Sequence, residues 1–512
     1  MISPQRVGGT QEHFAYRRHA VSYNLPALDS LPHHGALRVV GLIGAVIVAL
    51  GGWRGGALPA TAEATDTEVI VSNAAVFVGA AVMVAAWLGM GPRAARGDVR
   101  DSVTTFLWWS APLVVTAPLF SQDVYSYLAQ GAAVHRGLDP FSGGPVTLLG
   151  RGDPLAQNVP KIWSDSPSPY GPVALGVSAA ISVLSGDDVR AAIIMHRLVG
   201  IAALLVCAWA LAALARRRGV SPGSALWLGL LNPLVVLHLV GGIHNEAIML
   251  AFMLAGLEVG LRALDEGAVR SWTLFTASSA LISCAGLVKV SGFIALGFTG
   301  MALARVTRPR LGTVTAVGAA ALFQLAALAS TAVVVAAIAH TTNGWLFVQG
   351  GAAEIRSWLS MTTEAGIILS NVGEWLGLGD HTDGLISFTR GLGFTIAVAY
   401  MVRKLFETLN GKQHPVHAMG LSTLVLVALF PVVQPWYPLW AIPALAASER
   451  RLLVRAGLAV FSAAICFVVL PLGSSMEPNE VAVVYAGAFA SVALIAGAAW
   501  LWFRRRTPAR LH

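Results

Sequence analysis

The residues best suited to proton and sugar chemistry are concentrated between Ser121 and Pro172. The stretch opens with Ser121-Gln122-Asp123-Val124-Tyr125-Ser126-Tyr127, passes through Gly137-Leu138-Asp139-Pro140-Phe141, and closes with Trp163 and Pro167-Ser168-Pro169-Tyr170-Gly171-Pro172. Asp123 follows the apolar Pro118-Leu119-Phe120, which sets its carboxylate near a membrane–water boundary. Partial burial there raises a carboxyl pKa toward the range useful for a general base acting on a hydroxyl. An Asp at a helix start can equally serve as a cap, accepting backbone N–H bonds. Tyr125, Tyr127, Trp163 and Tyr170 offer faces for a sugar ring, or anchors at a bilayer interface.

Four further polar groups stand out against apolar surroundings. Gly241-Gly242-Ile243-His244-Asn245-Glu246 lies at a hairpin of two apolar runs. Burying His, Asn and Glu near lipid is costly unless they are partnered, so such groups usually line a cavity or bond one another. Lys289 stands alone in a long apolar run and either snorkels or neutralises a phosphate. Arg197 offers a planar fork suited to phosphate. Gln434-Pro435-Trp436-Tyr437 makes a Pro-interrupted aromatic turn that forms a pocket wall or an aromatic belt, and Arg356 lies in a polar stretch over 343–380. No His, Cys and carboxylate spacing resembles a dependable metal site, so no metal is expected.

These groups must be positioned by membrane-embedded helices. Of 512 residues, 56% are apolar and 12% charged, against roughly 25% charged in an ordinary soluble domain; mean hydropathy is +0.68. So few charges cannot supply a polar skin, which excludes a soluble enzyme and predicts an all-α, polytopic membrane protein. The net charge of +8 comes from short basic clusters between apolar runs, the pattern of the positive-inside rule and not of nucleic-acid binding. Cys207, Cys284 and Cys466 lie in apolar runs and read as buried hydrophobes.

Apolar runs at 38–53, 69–91, 103–120, 191–214, 223–242, 245–263, 273–302, 312–340, 383–402, 416–434, 436–448, 456–472 and 480–503 predict about 14 crossings. The run 273–302 is too long for one span and is expected to break around Lys289, and 171–186 is expected to be re-entrant or interfacial. Placing the basic clusters in the cytoplasm leaves loops 121–170 and 341–380 outside. The expected organisation is a cytoplasmic arm over 1–37, one transmembrane domain over 38–505, and a cytoplasmic tail over 506–512. A connection as long as 121–170 is usually functional; its aromatics and prolines predict an ordered cover with short interfacial helices.

On the motifs just quoted, the chain resembles the C-type (GT-C) integral membrane glycosyltransferases, and most of all the actinobacterial alpha-1,6-mannosyltransferases that use polyprenyl phosphomannose. The likeness spans about residues 38–505. It implies an inverting displacement on the external face of the plasma membrane, with Asp123 taking the proton of an acceptor hydroxyl. The donor phosphate would be held by Arg197, His244 or Lys289. Sugar or acceptor contacts would come from Tyr125, Tyr127, Asp139, Trp163, Tyr170, Asn245, Glu246, Arg356, Gln434, Trp436 and Tyr437. Many members carry paired acidic residues, whereas Gln122 precedes Asp123 here, which leaves a single-carboxylate mechanism without a metal or other cofactor. The implied partners are polyprenyl phosphomannose, a mannosylated glycolipid acceptor such as a lipomannan core, and membrane lipid, with no fixed protein partner. The rival is a transporter or flippase of an amphiphilic substrate, which the crossing number suits but the absence of a repeat does not.

Overall fold

A computed structural model describes residues 34–59, 65–264, 269–348 and 355–506. The expected N-terminal arm up to residue 33 and the tail beyond 506 lie outside them. Among the described residues the chain is helical, with no strand. Helices of ten residues or more are numbered here in chain order. The first two, α1 (His34–Gly55) and α2 (Asp66–Met90), form a close pair. A Cβ at Gly44 would lie 2.7 Å from the Gly79 carbonyl oxygen, so glycine permits their contact.

After α3 (Val99–Ser110), Pro112 tightens the chain into a 3₁₀ turn, Ala111–Val115, that leads toward α4 (Asp123–His135). Two short helices, Pro145–Leu149 and Pro154–Gln157, then return the chain to α5 (Pro172–Ser185) and α6 (Val189–Arg218). Between α6 and α7 (Glu246–Ala263) lie an eight-residue helix, Pro222–Gly229, and a π-helical segment, Val235–Gly241. Next come α8 (Trp272–Val288), a 3₁₀ turn at Val290–Phe293, α9 (Ile294–Leu311), α10 (Thr313–Ala339), α11 (Met361–Trp375) and α12 (Thr382–Leu409). Helix α13 (Pro415–Ala428) precedes the 3₁₀ turn Tyr437–Trp440, and α14 (Leu452–Ile465) and α15 (Pro478–Arg506) end the described chain.

Seven helical stretches are long and apolar enough to cross a bilayer, and an eighth arises if Val235–Gly241 and α7, bent by 114°, count as one span. Four shorter apolar helices, α5, α8, α13 and α14, accompany them. The expected count of about 14 is therefore not reproduced by full-length helices. Prolines explain the difference, because each removes a donor and obstructs the preceding turn. Run 103–120 is cut at Pro112 and Pro118, 223–242 at Pro233, and 436–448 at Pro438. The expected break of 273–302 falls at Lys289, where the backbone extends to φ −151°, ψ 132°.

Outer faces of α10 and α12 expose Leu322, Leu325 and Ile338, and Phe388, Leu392 and Ile396. Such surfaces belong in hydrocarbon. The protein is an integral membrane protein in which α2, α6 and α7 are more enclosed. Trp87 and Trp227 stack there at 5.1 Å and exchange indole N–H bonds to each other's backbone carbonyls at 2.7 and 2.8 Å.

One local expectation needs revision. Helix α4 does not lie on the interface, because Val124 through Val134 are all buried. The returning loop folds over it and α5 packs beneath it, with a Cβ at Gly131 falling 2.5 Å from the Ser178 backbone. Arg136, just past α4, fastens the cover by binding Asp153 at 2.6 Å and Asp187 at 2.9 Å.

Candidate active site

Asp123 is the first residue of α4 and does not cap it with its carboxylate. Gln122 occupies the cap position, and the Asp123 N–H donates instead to Ser121 Oγ at 3.1 Å. The carboxylate is left to face Ser121, Trp163 and His244, and about a fifth of the side chain (21%) remains reachable. The protein packed around it pushes its pKa up to about 6, against the opposing pull of the Lys289 ammonium. A carboxyl so placed is ionised at neutral pH yet basic enough to accept a proton.

His244 reaches Asp123 from a strained elbow. The π-helical segment ends at Gly241, and Ile243 then adopts φ +59°, a left-handed conformation unfavourable for a β-branched residue. His244 Nδ1 lies 3.6 Å from Asp123 Oδ2, beyond hydrogen-bonding distance. The ring is buried and stacked on Trp436 with centroids 3.5 Å apart, and neither of its nitrogens has a hydrogen-bond partner among the described residues. His238, 6.3 Å away, stacks along the same column and is itself packed on Phe120.

Beside this column is a buried ion pair. Glu246 opens α7 and its Oε1 accepts from Lys289 Nζ at 2.6 Å and from Trp436 Nε1 at 3.2 Å. Lys289 comes from the break between α8 and α9. Its ammonium sits 4.4 Å from the Tyr437 ring centre and 5.1 Å from that of Trp440. Tyr437 and Trp440 are three apart in one 3₁₀ turn, a spacing that eclipses side chains, and they stack at 4.2 Å. Tyr170 senses the charges of Asp123, Lys289 and Glu246, and its hydroxyl lies 3.2 Å from that of Tyr127.

Asp123, Trp163, Tyr170, His244, Glu246, Lys289, Trp436 and Tyr437, drawn from five separate stretches, thus share one neighbourhood, with Tyr127 behind Tyr170. Asn245 stands between His244 and Glu246, buried, its carbonyl accepting the N–H bonds of Ile248 and Met249 in the first turn of α7. Gln434 supplies the carbonyl that receives the Tyr437 N–H. The sequence reading did not single out His238 or Trp440 as site residues. The 3₁₀-compatible spacing of Tyr437 and Trp440 was the available signal for the latter.

Four expected residues belong elsewhere. Arg197 is fully buried and donates to the carbonyls of Val114, Thr116, Ala117, Val240 and Gly241. These carbonyls lie where helical bonding is interrupted, and the guanidinium satisfies them. It has no fork left for a phosphate. The Tyr125 hydroxyl donates to the Ala57 carbonyl at 2.7 Å within the core, so its ring is no sugar platform. Asp139 caps its own turn through Phe141 N–H and accepts from Thr342, tying the two loops together. Arg356 pairs with exposed Asp383 at 2.6 Å.

Comparison with known proteins adds an independent line. Residues 38–305 match the family model described as alpha-(1->6)-mannopyranosyltransferase, N-terminal domain, and residues 362–497 match the MptB C-terminal domain. The chain is 45% identical to the alpha-(1->6)-mannopyranosyltransferase B of Corynebacterium glutamicum over 497 residues, 92% of this chain and 82% of that protein. It is 36% identical to an alpha-(1->6)-mannopyranosyltransferase of Mycobacterium tuberculosis, covering 81% of this chain and 78% of that one. A solved oligosaccharyltransferase of Archaeoglobus fulgidus is 14% identical with a TM-score of 0.34, covering 80% of this chain and 55% of that one; a likeness that loose bears no weight.

Proposed function

The chain belongs to the alpha-(1->6)-mannopyranosyltransferase family, and on that premise we propose that it moves mannose from polyprenyl phosphomannose to a mannoside of a lipid-anchored glycan, on the extracytoplasmic face. That it is a glycosyltransferase and sits in the membrane follows from its family and composition. The donor, the acceptor and the face are our reading. The observation that carries it is Asp123: one reachable carboxylate, raised to about 6, beside a histidine whose nitrogens have no hydrogen-bond partner among the described residues.

In this reading the acceptor's 6-hydroxyl gives its proton to Asp123 as its oxygen bonds to the anomeric carbon of the donor mannose. The bond from that carbon to the phosphate oxygen breaks, and the electron pair leaves with polyprenyl phosphate. Attack opposite the leaving group turns a beta-linked donor into an alpha product. Phosphate departs without a general acid, provided donors await its growing charge. Lys289, held by Glu246 at one N–H, and His244 are the groups suited to that task; Arg197 is not. Trp163, Tyr170 and Tyr437 would bound the sugars. A lipid-linked donor explains why so apolar a protein handles a hydrophilic sugar.

The test is turnover by purified protein given polyprenyl phosphomannose and a synthetic alpha-mannoside, with GDP-mannose as the competing donor. Product from the lipid-linked donor alone, lost in Asp123→Asn, is expected, and it should survive thorough chelation. Transfer from GDP-mannose, or wild-type turnover by Asp123→Asn, would overturn the proposal. The site's face is read by supplying a membrane-impermeant acceptor to right-side-out vesicles.

A further inference from the structure

Two sizeable cavities lie away from Asp123 and share none of its neighbours. One of about 560 Å³ is walled by Arg217, Arg305 and His414 together with apolar Leu261, Leu264, Ala302, Val306 and Pro309. Another of about 410 Å³ shares Arg305 and His414 and adds Arg218, Lys412 and His417. They are adjoining parts of one basic recess. Helix α6 shows how remote it is: Arg197, whose guanidinium holds the Gly241 carbonyl near His244, lies twenty residues from Arg217, ~30 Å along a helix. Helices α7 and α9 run the same way, with Glu246 or Lys289 near one end and Leu261 or Arg305 near the other.

The charge in this recess is unbalanced. No Asp or Glu lines either cavity among the described residues. Arg217 is matched by Glu258 at 2.8 Å, and His417 faces Glu449 at 3.9 Å. Arg218, Arg305 and Lys412 form no ion pair among the described residues, and Arg218 Nε is buried without a hydrogen-bond partner. The Arg305 guanidinium packs over Gly411, which sits at φ +70° and leaves room for it; a Cβ there would fall 2.6 Å from Arg305 Cζ. Burial first, and then the neighbouring Arg218, Arg217, His417 and Arg305, hold His414 down at about 3, so it is a neutral member of the wall.

Concentrated cations in a shaped recess, with no acid among its described lining residues, favour a ligand of several negative charges, and phosphate oxygens fit arginine forks. The apolar wall of the larger cavity gives such a ligand somewhere to lay a hydrocarbon chain. We propose that this recess is a second binding site, for a multiply charged phosphate group, and that the apolar wall favours one carried on a lipid. It is separate from transfer chemistry and stands whether or not the Asp123 mechanism does.

The experiment uses full-length protein in a neutral detergent, titrated with cardiolipin, inorganic pyrophosphate or phosphatidylcholine, with binding read by native mass spectrometry. Saturable cardiolipin binding, weakened roughly twenty-five-fold in the double variant Arg305→Gln with Lys412→Gln, is expected, taking each lost cation as a fivefold effect. The paired control, Arg216→Gln with Arg310→Gln, removes equal charge from exposed positions outside the recess and should leave binding near wild type. Stronger cardiolipin than pyrophosphate binding assigns a lipid, and equal binding assigns a soluble phosphate; both support the recess. Equal weakening by the control variant, or no binding of either phosphate compound, overturns it. Unfolding temperatures of both variants without ligand identify any loss caused by misfolding, and a misfolded double variant is replaced by Arg305→Lys with Lys412→Gln.

Discussion

The two ends of α6 and α7 handle charge in opposite ways, one burying it and the other leaving Arg305 and Lys412 exposed. Near Asp123, Glu246 is met at once by Lys289 and Trp436, and the aromatic rings of Tyr437 and Trp440 enclose the ammonium. Around Arg305, three cations without an ion pair, Arg218, Arg305 and Lys412, gather beside Arg217, with no acid among the described wall residues. A compensated pair holds its shape without a ligand, because each charge supplies what the other lost on leaving water. An uncompensated group repels itself and stays poised for a counter-charge from outside. Asp123 lies between these extremes: bonded to no cation, its pKa is raised by burial in spite of the opposing Lys289 ammonium.

The contrast is broken most severely at Asp123. Asp123→Asn is expected to lower turnover by about a hundred- to ten-thousand-fold, the usual contribution of a positioned base, measured by single-turnover transfer. It should not destabilise the protein. Because the folded-state pKa is raised from 3.8 to about 6, the ionised wild-type carboxylate costs stability that the amide avoids. The variant's advantage should be absent below about pH 4, grow between there and about pH 6, and be complete above it, as read by unfolding midpoints. In the wild type the same group predicts an acid limb of kcat/KM near pH 6.

Next in size is the pair. Lys289→Met leaves Glu246, 1% exposed, without its cation and should cost about 3–5 kcal/mol of stability. Adding Glu246→Gln should restore a large part, which denaturant unfolding in detergent would show; no recovery would mean the two are not coupled. Trp436→Phe keeps a ring under His244 but removes the indole donor to Glu246. A loss of roughly 1.5–3 kcal/mol is expected, as for a hydrogen bond to a charged group. Smallest is Arg305→Gln, which should change stability by no more than about 0.5 kcal/mol. A large loss there would show that the Arg305 end is paired after all.

Much of the Asp123 end was legible because its residue types are incompatible with lipid. A His, a Glu and a Lys in apolar runs must find partners or a function, and Gly241–Glu246 and Lys289 declare themselves on that ground, while Gln434–Tyr437 does so as a Pro-interrupted aromatic turn. Their pairing was not legible, since Glu246 and Lys289 are joined only by the bend before α7 and the break after α8. Arg197 was misread for a related reason. Its type suits phosphate, and nothing in its own segment shows that Pro-disrupted stretches far along the chain leave five carbonyls facing it. The number of full-length helices is a related case: hydropathy counts apolar residues, whereas proline and the π-helical segment decide where a helix ends.

That five-carbonyl clasp has a consequence for anyone scanning this protein by mutation. Lysine presents its donors from one atom and cannot span carbonyls from two distant segments, so Arg197→Lys should disable the enzyme as thoroughly as alanine does. Judged by product alone, the position would pass for a substrate-binding arginine. Yield of folded protein separates a keystone from a ligand, and it should be scored alongside every dead variant.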